Sequence, residues 1–342
     1  NGEVLELRTA LLAAKNMSQF QKLIRECLRL TGKYCVKDTD LTIDILEKLN
    51  LWTAMEQMSN VMHIPPSYLH TRGQQIRVLA QVYRDVVDTD IIIPAPVEGE
   101  VLKEKYQGAI VVDAVPGYHR KVATLDFASL YPTTMIARNI CLTTLLPEDT
   151  DVPDEECHIL QWEDHRYCEH DPSGRKGKAE DVLCAKHRYK FRKVKIEYDE
   201  KKKEFIRKYE GIMAGMERRL LAQRKIVKKQ MFQEEAKVKM YDGLADEDDL
   251  AYYKKMGWEI IPKGGLSDDE IKNARIAFSV YNAQQLAIKV SANSGYGALG
   301  ALEGKLSFIQ GAASITAEGR MQIRYAIKLV LEYYDDCELV YG

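Results

Sequence analysis

The fold turns on Val122-Ala-Thr-Leu-Asp126-Phe-Ala-Ser-Leu-Tyr131-Pro132, an apolar run that ends in a carboxylate and is soon followed by a proline. Pro132 suits the first position of a helix and restricts Tyr131 to an extended shape, so the segment reads as strand, turn and helix start. Such a turn offers successive backbone N–H groups to phosphate oxygens. Asp126, at the rigid end of the strand, is a hard oxygen ligand of the kind divalent cations need. By spacing alone, a structural Asp at a strand end is the commoner explanation.

Upstream, Gly108-Ala-Ile-Val-Val-Asp113 is a second short β run, and the two runs fit strands of one sheet. Ile91-Ile-Ile-Pro-Ala-Pro96 and Gly99 read as a linker before it. Residues 1–58 read as helices, because Leu23, Cys27 and Leu30, then Leu41, Ile45, Leu46 and Leu49, recur at helical spacing. Ile64-Pro-Pro66 interrupts that pattern and 73–84 resumes it. Downstream, 150–185 is polar, acidic and rich in Cys and His, resembling an inserted loop or module. Residues 188–240 read as a long basic helical region, and 271–297 as a helix carrying Ile276, Val280, Ile288 and Val290. A last helix, about 316–334, leads into Cys337-Glu-Leu-Val-Tyr-Gly342, the expected start of a strand cut off mid-motif. The expected class is α+β.

With 342 residues, 46% of them hydrophobic and 29% charged, the chain has the make-up of an ordinary globular protein of two or three domains. No apolar run approaches the roughly 20 residues of a membrane span, so a soluble protein is expected. Seven cysteines are too few and too scattered for a disulfide framework. The opening Asn-Gly-Glu looks like an internal cut without a secretory address, and an intracellular, reducing setting is expected. The formal charge of −2 hides an asymmetry: residues 186–230 hold 17 Lys and Arg against 6 Asp and Glu. That density suits a phosphate-rich partner, although a charge run alone is more often a solvated helix face.

A second constellation is Lys289-Val-Ser-Ala-Asn293-Ser-Gly-Tyr296-Gly297. On a helix Lys289, Asn293, Tyr296 and Gly297 share one face, so a cation, an amide, an aromatic ring and a gap meet there. That set can hold a phosphate, a sugar and a stacked base. Arg224 and Lys228 form another cationic stripe, four residues apart.

Together and in this order, these elements resemble family B DNA polymerases. Asp126-Phe-Ala-Ser-Leu-Tyr-Pro132 resembles motif A and Lys289 to Gly297 resembles motif B. Arg224-x3-Lys228 resembles the cationic fingers helix, and Tyr106-Gln-Gly-Ala109 the element between exonuclease and polymerase parts. Tyr34-Cys-Val-Lys-Asp38 resembles the third exonuclease motif. The likeness spans essentially the whole chain and is nearest to the polymerase delta type and to large DNA viruses.

The resemblance implies a right-hand polymerase, with an antiparallel palm sheet and helical fingers, preceded by the C-terminal part of an RNase H-like 3′–5′ exonuclease domain. On it, 1–92 is the exonuclease end, 93–150 the first palm part, 151–187 the Cys/His-rich insertion, 188–300 the fingers and 301–342 the second palm part. Asp126 is then the catalytic ligand of Mg, two ions in the complete enzyme. Ser129, Leu130, Tyr131, Arg224, Lys228, Lys289 and Asn293 bind the dNTP, with Tyr131 under the sugar and Asn293 fixing the helix near it. Tyr296 and Gly297 face the nascent base pair and template, and Tyr34 and Asp38 belong to the exonuclease motif. Partners are primer-template DNA and dNTPs, with a sliding clamp as a candidate; the setting is a host nucleus or a cytoplasmic viral factory. The family continues Val340-Tyr341-Gly342 with the remaining metal carboxylates, so these residues alone are expected not to polymerise. The other reading is a non-catalytic DNA- or nucleotide-binding remnant.

Cys168-x-His170 and Cys184-x2-His187 have roughly the spacing of a tetrahedral zinc clip. Cys157, His158 and His165 are competing ligands, and a polar surface insertion without metal fits the same residues.

Overall fold

The structure is a computed structural model that describes residues 2–93, 106–171, 174, 176–178, 182–200, 203–302, 304–334 and 336–342. The expected linker residues Pro94 to Gly99 lie outside them. The chain divides into two units, 1–56 and 57–342.

The first unit is helical, as its periodicity predicts. It holds α1 (Gly2–Leu12), α2 (Met17–Lys48) and the start of α3 (Leu51–Met62). Asn16 caps α2, its side chain accepting from the Gln19 N–H at 2.9 Å, which satisfies one of the otherwise orphaned first-turn donors. No residue of α2 is fully buried, and Leu28, Ile45 and Leu49 are exposed.

The second unit is built on two long helices, α7 (Ile212–Asp242) and α9 (Asp268–Leu299). Glu217 lies against Gly295, Arg224 bonds Gln285 and Asp242 pairs with Arg275, so the two helices run antiparallel. Ser267 and Glu270 close a capping box at the start of α9. The core joins Val78, Val82 and Val86 of α5 (Gln74–Val86) to Ile288 and Ala292 of α9 and to Met213, Met216 and Leu220 of α7. Gln81 donates to the Ser291 hydroxyl at 2.6 Å across the α5 and α9 contact. Met135 of α6 (Leu130–Arg138) and Ile140 just beyond its end join this core, as do Ala312 and Ile315 of α10 (Ile309–Tyr333). The short α4 (Tyr68–Thr71) precedes α5, and α8 (Glu247–Lys255) closes a satellite cluster of Ala236, Met240 and Tyr253.

The antiparallel strands lie elsewhere than the sequence reading expects. β2 (Cys157–Arg166) and β3 (Leu183–Arg192) form a ten-pair hairpin inside the supposed insertion and basic helix. β1 (Leu145–Leu146) extends it, giving the order β1-β3-β2, and β4 (Lys195–Asp199) pairs with β5 (Glu204–Lys208). Charge density hid the alternation of Lys186, Arg188, Lys190 and Arg192 with His187, Tyr189 and Phe191, which is the period of a strand. The helix therefore begins at Ile212 rather than near 188. Conversely, 108–113, 122–127 and 337–342 form no strand. Val112 donates to the Gly342 carbonyl at 2.5 Å and Val115 to that of Val340 at 2.8 Å, too sparse a ladder for a sheet. On α9, Ile276 and Val290 are on the exposed side, while Ile271, Ala274, Ile288 and Ala292 are buried.

Candidate functional site

Asp126 stands in a segment without regular structure, exposed, four residues before α6. Ser129 turns the chain into the helix from the left-handed region, at φ 58° and ψ 57°, a conformation that costs a non-glycine residue about 1 kcal/mol. Its carbonyl accepts from both the N–H and the hydroxyl of Thr133. Tyr131 is helical rather than extended, and Pro132 takes the third helical position. A proline is tolerated there because the first four N–H groups of a helix have no internal partner.

The rings of Tyr131 and Tyr296 meet at 4.6 Å between centroids, tilted by 45°. The Tyr296 hydroxyl lies 3.1 Å from that of Tyr106, so three of the sequence elements converge on one aromatic cluster. Burial pushes both Tyr131 and Tyr296 phenols up, and the Tyr106 hydrogen bond adds to the rise at Tyr296. Two glycines make the room. A Cβ on Gly319 of α10 would stand 3.1 Å from the Tyr131 ring, and one on Gly300 would stand 2.5 Å from the Tyr106 hydroxyl.

Arg320 anchors this cluster, and sequence reasoning missed it. Its guanidinium is buried and donates to Asp164 at 2.7 Å, to the Gln107 carbonyl at 2.7 Å and to the Gly108 carbonyl at 2.8 Å. Burial lowers its pKa and Asp164 opposes that shift. Thr316 donates to the same Gln107 carbonyl. Arg138 of α6 donates to Glu318 of α10 at 2.8 and 2.5 Å. No local motif announces these residues, since their partners lie far away in the chain.

Arg224 and Lys228 lie on α7 and Lys289 on α9. Arg224 bonds the Gln285 side chain at 3.3–3.4 Å, and Gln285 lies one turn from Lys289 on the same face of α9. Lys289 is exposed, and Lys228 lies over the Phe232 ring at 5.4 Å. Asn293 is exposed and has no hydrogen bond among the described residues, so contact with Tyr131 falls to Tyr296 and not to it. Gly297 opens onto a cleft of about 770 Å³ that Arg72 and Lys305 also line. In the other unit, Tyr34 and Asp38 are exposed one turn apart on α2.

The zinc reading needs a different fourth ligand. His165, Cys168, His170 and Cys184 bring their ligand atoms within 4.8 Å of one another. His187 is three residues from Cys184 on β3, and at strand period it faces the opposite side. There it stacks on Trp162 and lies 3.5 Å from Asp164.

Comparison with known proteins gives the setting. The model of DNA polymerase family B matches residues 64–252 and 269–339. The DNA polymerase of Red sea bream iridovirus is 32% identical, covering 91% of this chain and 32% of its own length. The DNA polymerase delta catalytic subunit of Candida albicans is 30% identical, covering 95% and 25%. The solved family B DNA polymerase of the hyperthermophilic archaeon Pyrobaculum calidifontis has the same fold over 96% of this chain and 31% of its own, with a TM-score of 0.56 at 21% identity. The chain thus spans about a third or less of the curated relatives it matches.

Proposed function

Since the chain belongs to DNA polymerase family B, we propose that it forms the nucleotide-binding heart of a viral-type replicative polymerase that adds dNTPs to a primer 3′-hydroxyl on a DNA template. The convergence of Tyr106, Tyr131 and Tyr296 from three separate sequence elements carries this reading. In it, 93–150 and 301–342 are palm, 188–300 are fingers, and Tyr34 and Asp38 belong to the end of a proofreading domain.

Lys289, Arg224 and Lys228 hold the triphosphate, where charge-assisted bonds are roughly twice as strong as neutral ones. Tyr131 lies under the sugar and Tyr296 beside the base pair. Asp126 is an exposed hard oxygen donor, which fits Mg, an ion held by one or two carboxylates together with substrate phosphates. When bound, Mg supplies activation of the primer hydroxyl and neutralises charge on the departing pyrophosphate. The protein's remaining work is positioning.

Equilibrium binding of a dNTP, with and without Mg, tests this. Lys289→Ala is expected to weaken binding by about 10- to 100-fold, the loss of one or two charged hydrogen bonds. Asp126→Asn is expected to abolish the Mg dependence, and the 342 residues alone are expected to bind without extending a primer. Unchanged affinity in Lys289→Ala would overturn the site, and Mg-independent binding by the unmutated chain would favour a non-catalytic remnant.

A further inference from the structure

We propose that His165, Cys168, His170 and Cys184 hold a structural zinc ion that locks the loop end of the β2 and β3 hairpin. His165 and Cys184 are directly paired across the two strands, so their side chains share the outer face. Cys168 and His170 return to that face through a turn that Tyr167 enters at φ 56° and that the Asp171 carboxylate closes by accepting from the Tyr167 N–H at 2.6 Å.

The spacing of the ligand atoms is that of a coordination shell. The sulfurs of Cys168 and Cys184 lie 3.6 and 3.4 Å from Nδ1 of His165, and that of Cys184 lies 3.5 Å from Nδ1 of His170. Zinc bonds of about 2.3 Å to sulfur and 2.0 Å to nitrogen at a tetrahedral angle put sulfur and nitrogen about 3.5 Å apart. Hydrogen bonds pair Cys168 with His165 and Cys184 with His170, but they leave the 3.4 Å approach of Cys184 to Nδ1 of His165 without a proton to share, and a metal between the four accounts for it. A metal satisfies all four donors, and the two thiols lose their protons to solvent as it binds. Two thiolates and two neutral imidazoles balance a divalent charge, and sulfur with imidazole selects zinc over hard cations.

The outer contacts agree. Nε2 of His165 lies 3.3 Å from Glu163, which directs the ring proton outward and leaves Nδ1 for the metal, and Lys186 holds Glu163 at 2.8 Å. Cys157 and His158 sit eight residues and seven residues before His165 on one strand, more than about 20 Å away, and so belong to no such site.

The clip also has a route to the aromatic cluster. Asp164 is adjacent to His165 but faces inward, where it receives Arg320, which in turn grips Gln107 and Gly108 beside Tyr106. Fixing the hairpin register fixes which side of the sheet Asp164 faces.

The test begins with the full chain purified without chelator. Plasma mass spectrometry is expected to find about one zinc per chain, and X-ray absorption two sulfurs at about 2.3 Å and two nitrogens at about 2.0 Å. C184S and H165A are expected to lose the ion. Chelation is expected to lower the thermal midpoint and to open His165 and His170, but not His187, to diethyl pyrocarbonate. That labelling reads the ligand set in the unmutated protein, whatever the folding of any variant. Zinc-free or iron-bearing protein, a Cys168 to Cys184 disulfide in its place, zinc retained by a C168S/C184S double variant, or chelator-dependent labelling at His187 instead of His165 would each overturn the proposal.

Discussion

Glu217 on α7 is fully buried and neither carboxylate oxygen has a hydrogen-bond partner among the described residues. It abuts Gly295 of α9, where an added Cβ would stand about 2.2 Å from Oε1, so no side chain from that position can shield it. Burial therefore raises its pKa well above the usual 4.5. The folded state holds this proton more tightly than the unfolded chain. Its contribution to stability is full below the unfolded pKa and is lost as pH rises through the raised folded value. Urea unfolding at pH 5 and pH 8 reads this directly. Glu217→Gln is expected to flatten the decline while leaving stability at pH 5 within about 1 kcal/mol. Parallel pH curves for the two proteins would show that the carboxyl is relieved elsewhere. The sequence presents Glu217 as one more charge on a basic helix; only the packing of α7 on α9 makes it a neutral acid.

Elements are joined at a few points, of which Asn139 is the clearest. It ends α6 in the left-handed conformation, at φ 51°, and is fully buried. Its amide donates to the carbonyls of Arg192 and Tyr209 at 2.7 Å each and accepts from the Gly211 N–H at 2.8 Å, tying the end of β3 and the start of α7 to α6. Asn139→Ala strands three backbone groups and adds backbone strain, so a loss of about 3 kcal/mol or more in unfolding free energy is expected. A loss under about 1 kcal/mol would mean that water replaces the amide. At this scale the sequence was only partly legible. The long helices show in their periodicity, and motif order brings Tyr131 and Tyr296 together. The β2 and β3 hairpin was hidden because its alternating residues are cations and aromatics rather than polar and aliphatic ones. The Cys184-x2-His187 spacing also misdirected the fourth ligand of the zinc reading, since residues three apart on a strand face opposite sides. Arg320 with Asp164 is a pairing 156 residues apart, beyond any local pattern.

Across the whole molecule, the concentration of positive charge is narrower than composition suggests. Lys186 pairs with Glu163, Lys190 with Asp154 and Arg192 with Glu156. Lys195 and Lys208 share Glu197, Arg207 and Arg218 share Glu210, and Arg219 pairs with Asp85. On α7 that leaves Arg224, Lys225, Lys228 and Lys229 without a carboxylate among the described residues. With Arg224 and Lys228 given to the triphosphate in the proposed reading, Lys225 and Lys229 are left for about two DNA phosphates, and DNA affinity is expected to fall about 10-fold between 50 and 200 mM salt. A titration following fluorescence anisotropy measures the slope, and a 10,000-fold fall would mean that cations now paired internally change partners.

The antiparallel helix pair has a mechanical consequence. α9 is an unbroken 32-residue rod that packs on α5 in its C-terminal half, where Tyr296 meets Tyr131 and Tyr106, and runs beside α7 beyond it. Lys289 lies about 10 Å along the rod from Tyr296, and the capped start at Ser267 more than about 40 Å. A tilt of about 20° about Tyr296 would carry Lys289 by about 4 Å while the far tip sweeps about 15 Å. Tilted in that way the rod would act as a lever: a large swing at the tip would become a fine adjustment of one ammonium group, with the tyrosines left where they are.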